Sequence, residues 1–160
     1  MDARELLQQE FEHLHQCVRD DLAEVDESWL WWQPAPGLSH IGFLYWHLVR
    51  DEDTILGRLA GGPETWQSGG WHERLGMDAK AQGTGLDPAL LPSFRYDLPT
   101  FSAYRDEAWA ASSRRLASLD MGTLERPAWP GASPRDSKRP CLALLQPRGR
   151  RQRPSCSMIP

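Results

Sequence analysis

Three long segments carry apolar residues at helical spacing, and this pattern constrains the fold more than any other feature of the chain. The first segment repeats them every three or four positions, at Leu7, Phe11, Leu14, Val18 and Leu22. Together the patterns predict helices over residues 2–24, 39–60 and 97–119, the second beginning at an N-cap Ser39. No segment alternates apolar and polar residues as a half-buried strand does. We therefore predict an all-α fold, in which three helices with one apolar face each need a fourth to close a bundle.

The connection between the second and third helices, residues 61–96, is rich in glycine and proline. It predicts turns, with short helical pieces near 71–76 and 87–92. Connections of this length inside one domain are usually functional or packed. Tryptophans gather in the connection and the segments before it, and they indicate core and dimer interface or the lining of a pocket for an apolar or thiol-bearing ligand: Trp29, Trp31, Trp32, Trp46, Trp66 and Trp71.

The composition changes abruptly near residue 130. Residues 130–160 hold seven basic residues against one acidic residue, for a formal net charge of +6, whereas the rest of the chain carries −10. Six of the thirteen prolines lie there, and none of the eight tryptophans. We therefore predict a helical domain over residues 1–130 and a basic, disordered Pro/Arg-rich tail over 131–160.

Composition also excludes several classes of protein. The mean hydropathy is −0.57, and no apolar run reaches the ~20 residues that span a bilayer, so we expect a soluble protein. Three cysteines without a paired framework fit a reducing, cytoplasmic location. The basic tail lacks interleaved aromatic residues and follows an acidic body, so we predict neither nucleic-acid nor membrane binding.

Candidate site residues come from spacing. His47 and Asp51 lie one turn apart, and so share a helix face. They could be two metal ligands, a ligand with the carboxylate that orients it, or a packed histidine hydrogen-bonded to an aspartate. His72, in the connection, could fold back toward His47 as a further ligand. We expect Cys17 to be a buried structural thiol, and we expect the other histidines to lie at the surface: His13, His15 and His40.

Three stretches resemble the DinB/YfiT-like superfamily of metal-binding four-helix bundles: Pro36–Asp53, Glu64–Gly76 and Tyr104–Ala108. The resemblance covers roughly residues 5–130, and its most specific part is Trp46-His47. It implies an up-down bundle in which His47 is one of three ligands to a divalent metal such as nickel, zinc or manganese. It also implies a homodimer, and relatives that are transferases or isomerases dependent on low-molecular-weight thiols.

The chain departs from the family pattern at its end. The family's other two ligands form a His-x-x-x-His pair on the fourth helix, but no histidine follows His72. We therefore predict an incomplete or irregular fourth helix and an incomplete metal site. We hypothesise a reading-frame change near residues 131–140, because 16 arginines, two lysines and no asparagine suggest GC-rich coding DNA. Sequencing the source locus tests this, since an intact frame through Pro160 in several strains would contradict it.

The expected function follows from the resemblance. If the chain is catalytic, it is a metal-dependent transferase or hydrolase of the thiol-dependent type. The alternative is a non-catalytic helical module for dimerisation or interaction, because an unclosed bundle leaves an apolar face exposed.

Overall fold

Three long helices, α1 (Ala3–Ala23), α3 (Ile41–Leu59) and α6 (Leu98–Ser118), dominate the computed structural model, which describes residues 2–122. Short elements lie between them: the helices α2 (Glu27–Leu30), α4 (Thr65–Ser68) and α5 (Trp71–Arg74), and a 3₁₀ helix over Pro88–Ser93. No strand occurs in residues 2–122, so the predicted all-α class is confirmed. The predicted boundary at 130, the fourth helix and the tail 131–160 lie outside the described residues.

The helix ends follow from local capping, and one predicted cap was wrong. Asp2 and Glu5 form a capping box at the start of α1, and Asp97 caps α6 through the Thr100 amide. The cap of α3 is His40 and not Ser39, because the His40 Nδ1 accepts the Phe43 amide at 2.9 Å. The His40 Nε2 therefore carries the proton and donates it to the Leu91 carbonyl at 3.1 Å.

The core lies where α6 packs against both α3 and α1. Its centre is aromatic, and its least exposed apolar residues are Trp46, Val49, Trp66, Phe101, Tyr104 and Ala108. Trp71 joins this core, whereas Trp29 and Trp32 are exposed. The long connection therefore contributes packed tryptophans to the core, in agreement with its length.

A buried carboxylate joins three of the helices. Asp53 on α3 accepts the backbone amides of Thr65 and Trp66 at 2.8 Å each, and so fixes the first turn of α4. It also accepts Arg115 Nη1 at 2.8 Å and the Tyr104 hydroxyl at 3.1 Å, both from α6. Burial alone would raise the pKa of Asp53, but these hydrogen bonds and the Arg115 charge hold it below its ordinary value.

Arg50, one turn before Asp53, extends this network. Its Nη2 donates to Glu64 at 2.9 Å, and its guanidinium lies 4.6 Å from the centre of the Trp66 ring. Its Nη1 also donates to the Tyr104 hydroxyl at 3.2 Å. Arg50 is fully buried, and these partners offset the cost of removing its charge from water.

The structure corrects several predicted positions on α1. His15 was expected at the surface but is 1% exposed, because it meets Glu52 of α3 and stacks on Trp109 of α6. Leu14, assigned to the apolar stripe, is instead 45% exposed. The other four predicted residues of the stripe, Leu7, Phe11, Val18 and Leu22, do pack against the core, so the prediction was wrong only at its central position. His13 is exposed, as expected.

Two further predictions of burial were wrong. His40 was expected to be exposed, but its capping role and its bond to Leu91 bury it. Cys17 was expected to be buried but is exposed, with its sulfur 3.7 Å from His13 Nε2. Four apolar side chains of α3 are exposed as well, at Ile41, Leu44, Leu48 and Ile55.

We predict that Asp53→Asn lowers the free energy of unfolding by about 3 kcal/mol at neutral pH, because it removes the carboxylate partner of Arg115 and leaves the buried Arg50 with Glu64 alone. Since the folded pKa of Asp53 is depressed, its ionised form stabilises the fold above the unfolded pKa, and this contribution is lost as the pH falls through the folded pKa. Urea titrations should therefore show the two proteins converging below about pH 4. Asp51→Asn, at a half-exposed position, is the matched control and should change stability little; equal losses would contradict the prediction.

Candidate functional site

His47 projects from α3 toward the connection, with its side chain 28% exposed. Its Nδ1 lies 2.6 Å from the backbone carbonyl of Gln82. A carbonyl only accepts hydrogen bonds, so Nδ1 carries the proton and donates it. In the neutral imidazole, the lone pair is then on Nε2. That is the nitrogen with which such a histidine would bind a metal ion.

Asp51 lies beside the same nitrogen and not beside Nε2. Its Oδ1 is 3.5 Å from His47 Nδ1, which is a long contact for a hydrogen bond. Partial burial raises the pKa of Asp51, while the charges of His47 and Arg50 oppose this rise. Of the interpretations left open by the spacing, this geometry favours an orienting carboxylate.

A tight loop holds His47 from the other side. Arg50 Nε donates to the Ala81 carbonyl at 3.0 Å, which ties the loop to α3. Gly83 has a φ of +89°, and a Cβ there would lie 2.9 Å from His47 Nδ1 and 3.0 Å from the Trp46 ring. Phe43 stacks on the imidazole at a centroid distance of 5.7 Å. The ring is therefore fixed by its loop as well as by its own helix.

His72 lies on α5, and its ring centre is 6.5 Å from that of Trp66. In residues 2–122, no three histidine, cysteine, aspartate or glutamate side chains group closely enough to hold a metal ion. His47, Asp51 and His72 are therefore not brought together as a three-ligand centre. Their roles as ligands stay predictions.

A second histidine–carboxylate pair was missed from the sequence. His15 Nε2 lies 2.9 and 3.0 Å from the two carboxylate oxygens of Glu52, and both side chains are buried. The His15 ring stacks on Trp109 at 4.2 Å. Because the pair is enclosed between α1, α3 and α6, it joins helices and does not present a free nitrogen. In the sequence, this pair could be anticipated only from the position of His15 among apolar residues at helical spacing on α1.

We predict that Gly83→Ala displaces the His47 imidazole, because its Cβ would overlap the ring and the positive φ is strained in an alanine. The cost should be about 1–3 kcal/mol of stability. Long-range proton–nitrogen NMR should find His47 protonated on Nδ1 in the wild type, with this signal shifted in the variant. Gly85→Ala, also at positive φ but in open space, is the control. Unchanged His47 signals in Gly83→Ala would refute the conclusion that the loop fixes the imidazole.

None of the helices in residues 2–122 is both long and apolar enough to cross a bilayer.

The comparisons with known proteins agree with the fold. No curated protein matches the chain closely enough to serve as a relative. The family model of the DinB superfamily matches residues 10–146, which is most of the chain. The chain therefore belongs to the DinB superfamily.

Proposed function

We propose that this protein binds a divalent metal through His47 Nε2, at a site inherited from thiol-dependent transferases or hydrolases and now incomplete. The observation that carries the proposal is the bond from His47 Nδ1 to the Gln82 carbonyl. Metal-binding histidines commonly donate their other ring proton to a carbonyl or a carboxylate, which fixes the tautomer and the ring orientation. In His47 the acceptor of this proton is the Gln82 carbonyl, and the Asp51 carboxylate lies 3.5 Å from the same Nδ1.

Among the described residues, His47 could serve as one metal ligand, with Asp51 and the loop around Gln82 positioning its ring. A stable transition-metal centre usually has three or four protein ligands, and residues 2–122 offer no such group. We therefore propose weak binding of nickel, zinc or manganese. When bound, such an ion supplies Lewis-acid chemistry or activates a water or thiol. The chain itself contributes a preset nitrogen, the orienting Asp51 carboxylate and a loop that keeps the imidazole from turning.

The proposed substrate class is a small thiol-bearing or apolar molecule, and the proposed compartment is the reducing cytoplasm. Aromatic side chains beside His47 support the substrate class, since Phe43 stacks on its ring and Phe94 lies 5.3 Å from Phe43. An apolar surrounding favours the apolar part of such a ligand.

Elemental analysis after incubation with nickel, zinc and manganese tests the metal proposal. During equilibrium dialysis against excess metal, we expect the wild-type chain to bind metal and His47→Ala to fall to the background, because the preset Nε2 of His47 is lost. His13→Ala is the matched control, since His13 is an exposed histidine on a different helix, and it should bind metal as the wild type does.

Two results would contradict this proposal. The absence of metal in all three proteins would mean that the inherited site no longer functions. Equal metal in the wild type and His47→Ala would mean that other groups bind it. Asp51→Asn refines a positive result, because losing an orienting partner should weaken binding by about 10–100-fold without abolishing it.

A second candidate function is a non-catalytic interaction module that forms a homodimer. It is favoured by one observation, the row of exposed apolar side chains on α3 at Ile41, Leu44, Leu48 and Ile55. The row is compatible with an antiparallel pairing of two copies about Leu48, which would place Ile41 opposite Ile55 of the second copy. Such a self-complementary face is what a two-fold dimer requires.

We predict that Leu44→Glu converts a dimer to a monomer, because the 53% exposed Leu44 lies in this row and a charge there would be buried on pairing. Size-exclusion chromatography with light scattering measures the mass. Leu90→Glu changes a similarly exposed leucine on the 3₁₀ helix and should leave the dimer intact. A wild-type chain that is monomeric at high concentration would rule out the dimer.

A further inference from the structure

A cavity of about 430 Å³ opens on the side of α3 opposite to His47. Its inner surface includes Tyr45, which is two positions before His47 and therefore about 200° away around the helix. The end of α1, α2 and the first turns of α6 supply the other walls. This volume suits a small organic molecule, and the cavity shares no lining residue with the His47 site.

One part of the lining is apolar. Leu22 comes from α1, Leu30 from α2 and Leu98 from the first turn of α6, while Val25 lies between the first two helices. Leu30 is buried and the other three are half-buried. These side chains offer a hydrocarbon surface to the apolar part of a ligand.

The opposite part is a group of hydrogen-bond donors. Arg105 Nη1 donates to the Tyr45 hydroxyl oxygen at 2.7 Å. Tyr45 thus acts as an acceptor, and its own hydroxyl proton has no acceptor in residues 2–122. Burial raises the pKa of Tyr45, opposed by Arg105, so the hydroxyl stays protonated and can donate. Ser102 adds a second hydroxyl to the lining.

Arg19 adds a positive charge without a matching carboxylate. Its guanidinium lies 4.9 Å from the centre of the Trp109 ring, and that of Arg105 lies 5.4 Å from the same ring. Asp106 pairs with Arg105 at 2.8 Å, but no acidic side chain of residues 2–122 pairs with Arg19. Two guanidinium groups therefore converge near one indole, with only one of them neutralised.

We propose that this cavity binds a small organic monocarboxylate with an apolar body. Arg19, the Tyr45 hydroxyl and Ser102 receive the carboxylate, and the leucines of the other wall receive the hydrocarbon.

The charge of the lining selects for a single negative charge. Arg19 is the one unmatched cation in the lining, and the exposed Glu27 at the edge carries a negative charge. A dianion such as a phosphate monoester would leave one of its charges unmatched and would be repelled by Glu27 more strongly than a monocarboxylate. A neutral apolar molecule would leave the half-buried guanidinium and the hydroxyl without partners.

Isothermal titration calorimetry with phenylbutyrate tests the proposal on the full chain. We expect saturable binding of phenylbutyrate that weakens with added salt. The uncharged analogue phenylbutyramide should bind at least about tenfold more weakly, since a charge-assisted hydrogen bond is lost. Arg19→Gln should weaken phenylbutyrate binding by about tenfold for the same reason. Arg58→Gln is the matched control, because it removes an exposed arginine of α3 that is not part of the lining.

A second variant separates binding from folding, because Arg19 also lies over Trp109. Ser102→Leu fills the cavity with a good helix former and should weaken phenylbutyrate binding by about tenfold while keeping the wild-type circular dichroism. If Arg19→Gln fails to fold, Ser102→Leu decides. The proposal is overturned if the wild type shows no saturable binding up to about 10 mM phenylbutyrate, if acid and amide bind equally, or if Arg58→Gln weakens binding as much as the lining variants.

Discussion

The buried Asp53 carboxylate is the interaction on which the rest of the structure depends. It receives two backbone amides from α4, a guanidinium and a hydroxyl from α6, and Arg50 from its own helix. The Tyr104 hydroxyl and the Thr65 and Trp66 amides are buried with it, and buried donors are costly without an acceptor. Through Asp53, the chain holds two long helices and the start of the connection with a single side chain.

Arg50 connects the hydrogen-bond network around Asp53 to the candidate site. Because Arg50 Nε also donates to Ala81, the loop that carries Gln82 is tied to the network beside Asp53. The loop in turn fixes the proton on His47 Nδ1. The placement of one imidazole is therefore a consequence of the core, and the site keeps its geometry even though residues 2–122 provide no full ligand set.

The sequence predicted the long helices to within about two residues, since apolar spacing is a local signal. It failed where burial depends on a partner far along the chain. His15 is buried by Glu52, and His40 by the Leu91 carbonyl, and neither partner can be inferred from local spacing. His47 was identified, but its fixing by Gln82 was not, because a backbone carbonyl leaves no mark on residue type. Gly83 was the available signal, and it was interpreted only as a turn.

The cap of α3 makes the helix start sensitive to acid. His40 must be neutral there, because Nδ1 accepts the Phe43 amide while Nε2 donates to Leu91. Burial lowers the pKa of His40, and the nearby Arg95 charge acts in the same direction, although the Leu91 bond partly offsets them. Just below the ordinary histidine pKa, His40 binds a proton in the unfolded chain but stays neutral in the folded chain, so acid favours unfolding. Mild acidification therefore lowers the stability that the His40 cap gives to the first turn of α3, the helix that carries His47. This happens at a pH where most carboxylates have not begun to titrate.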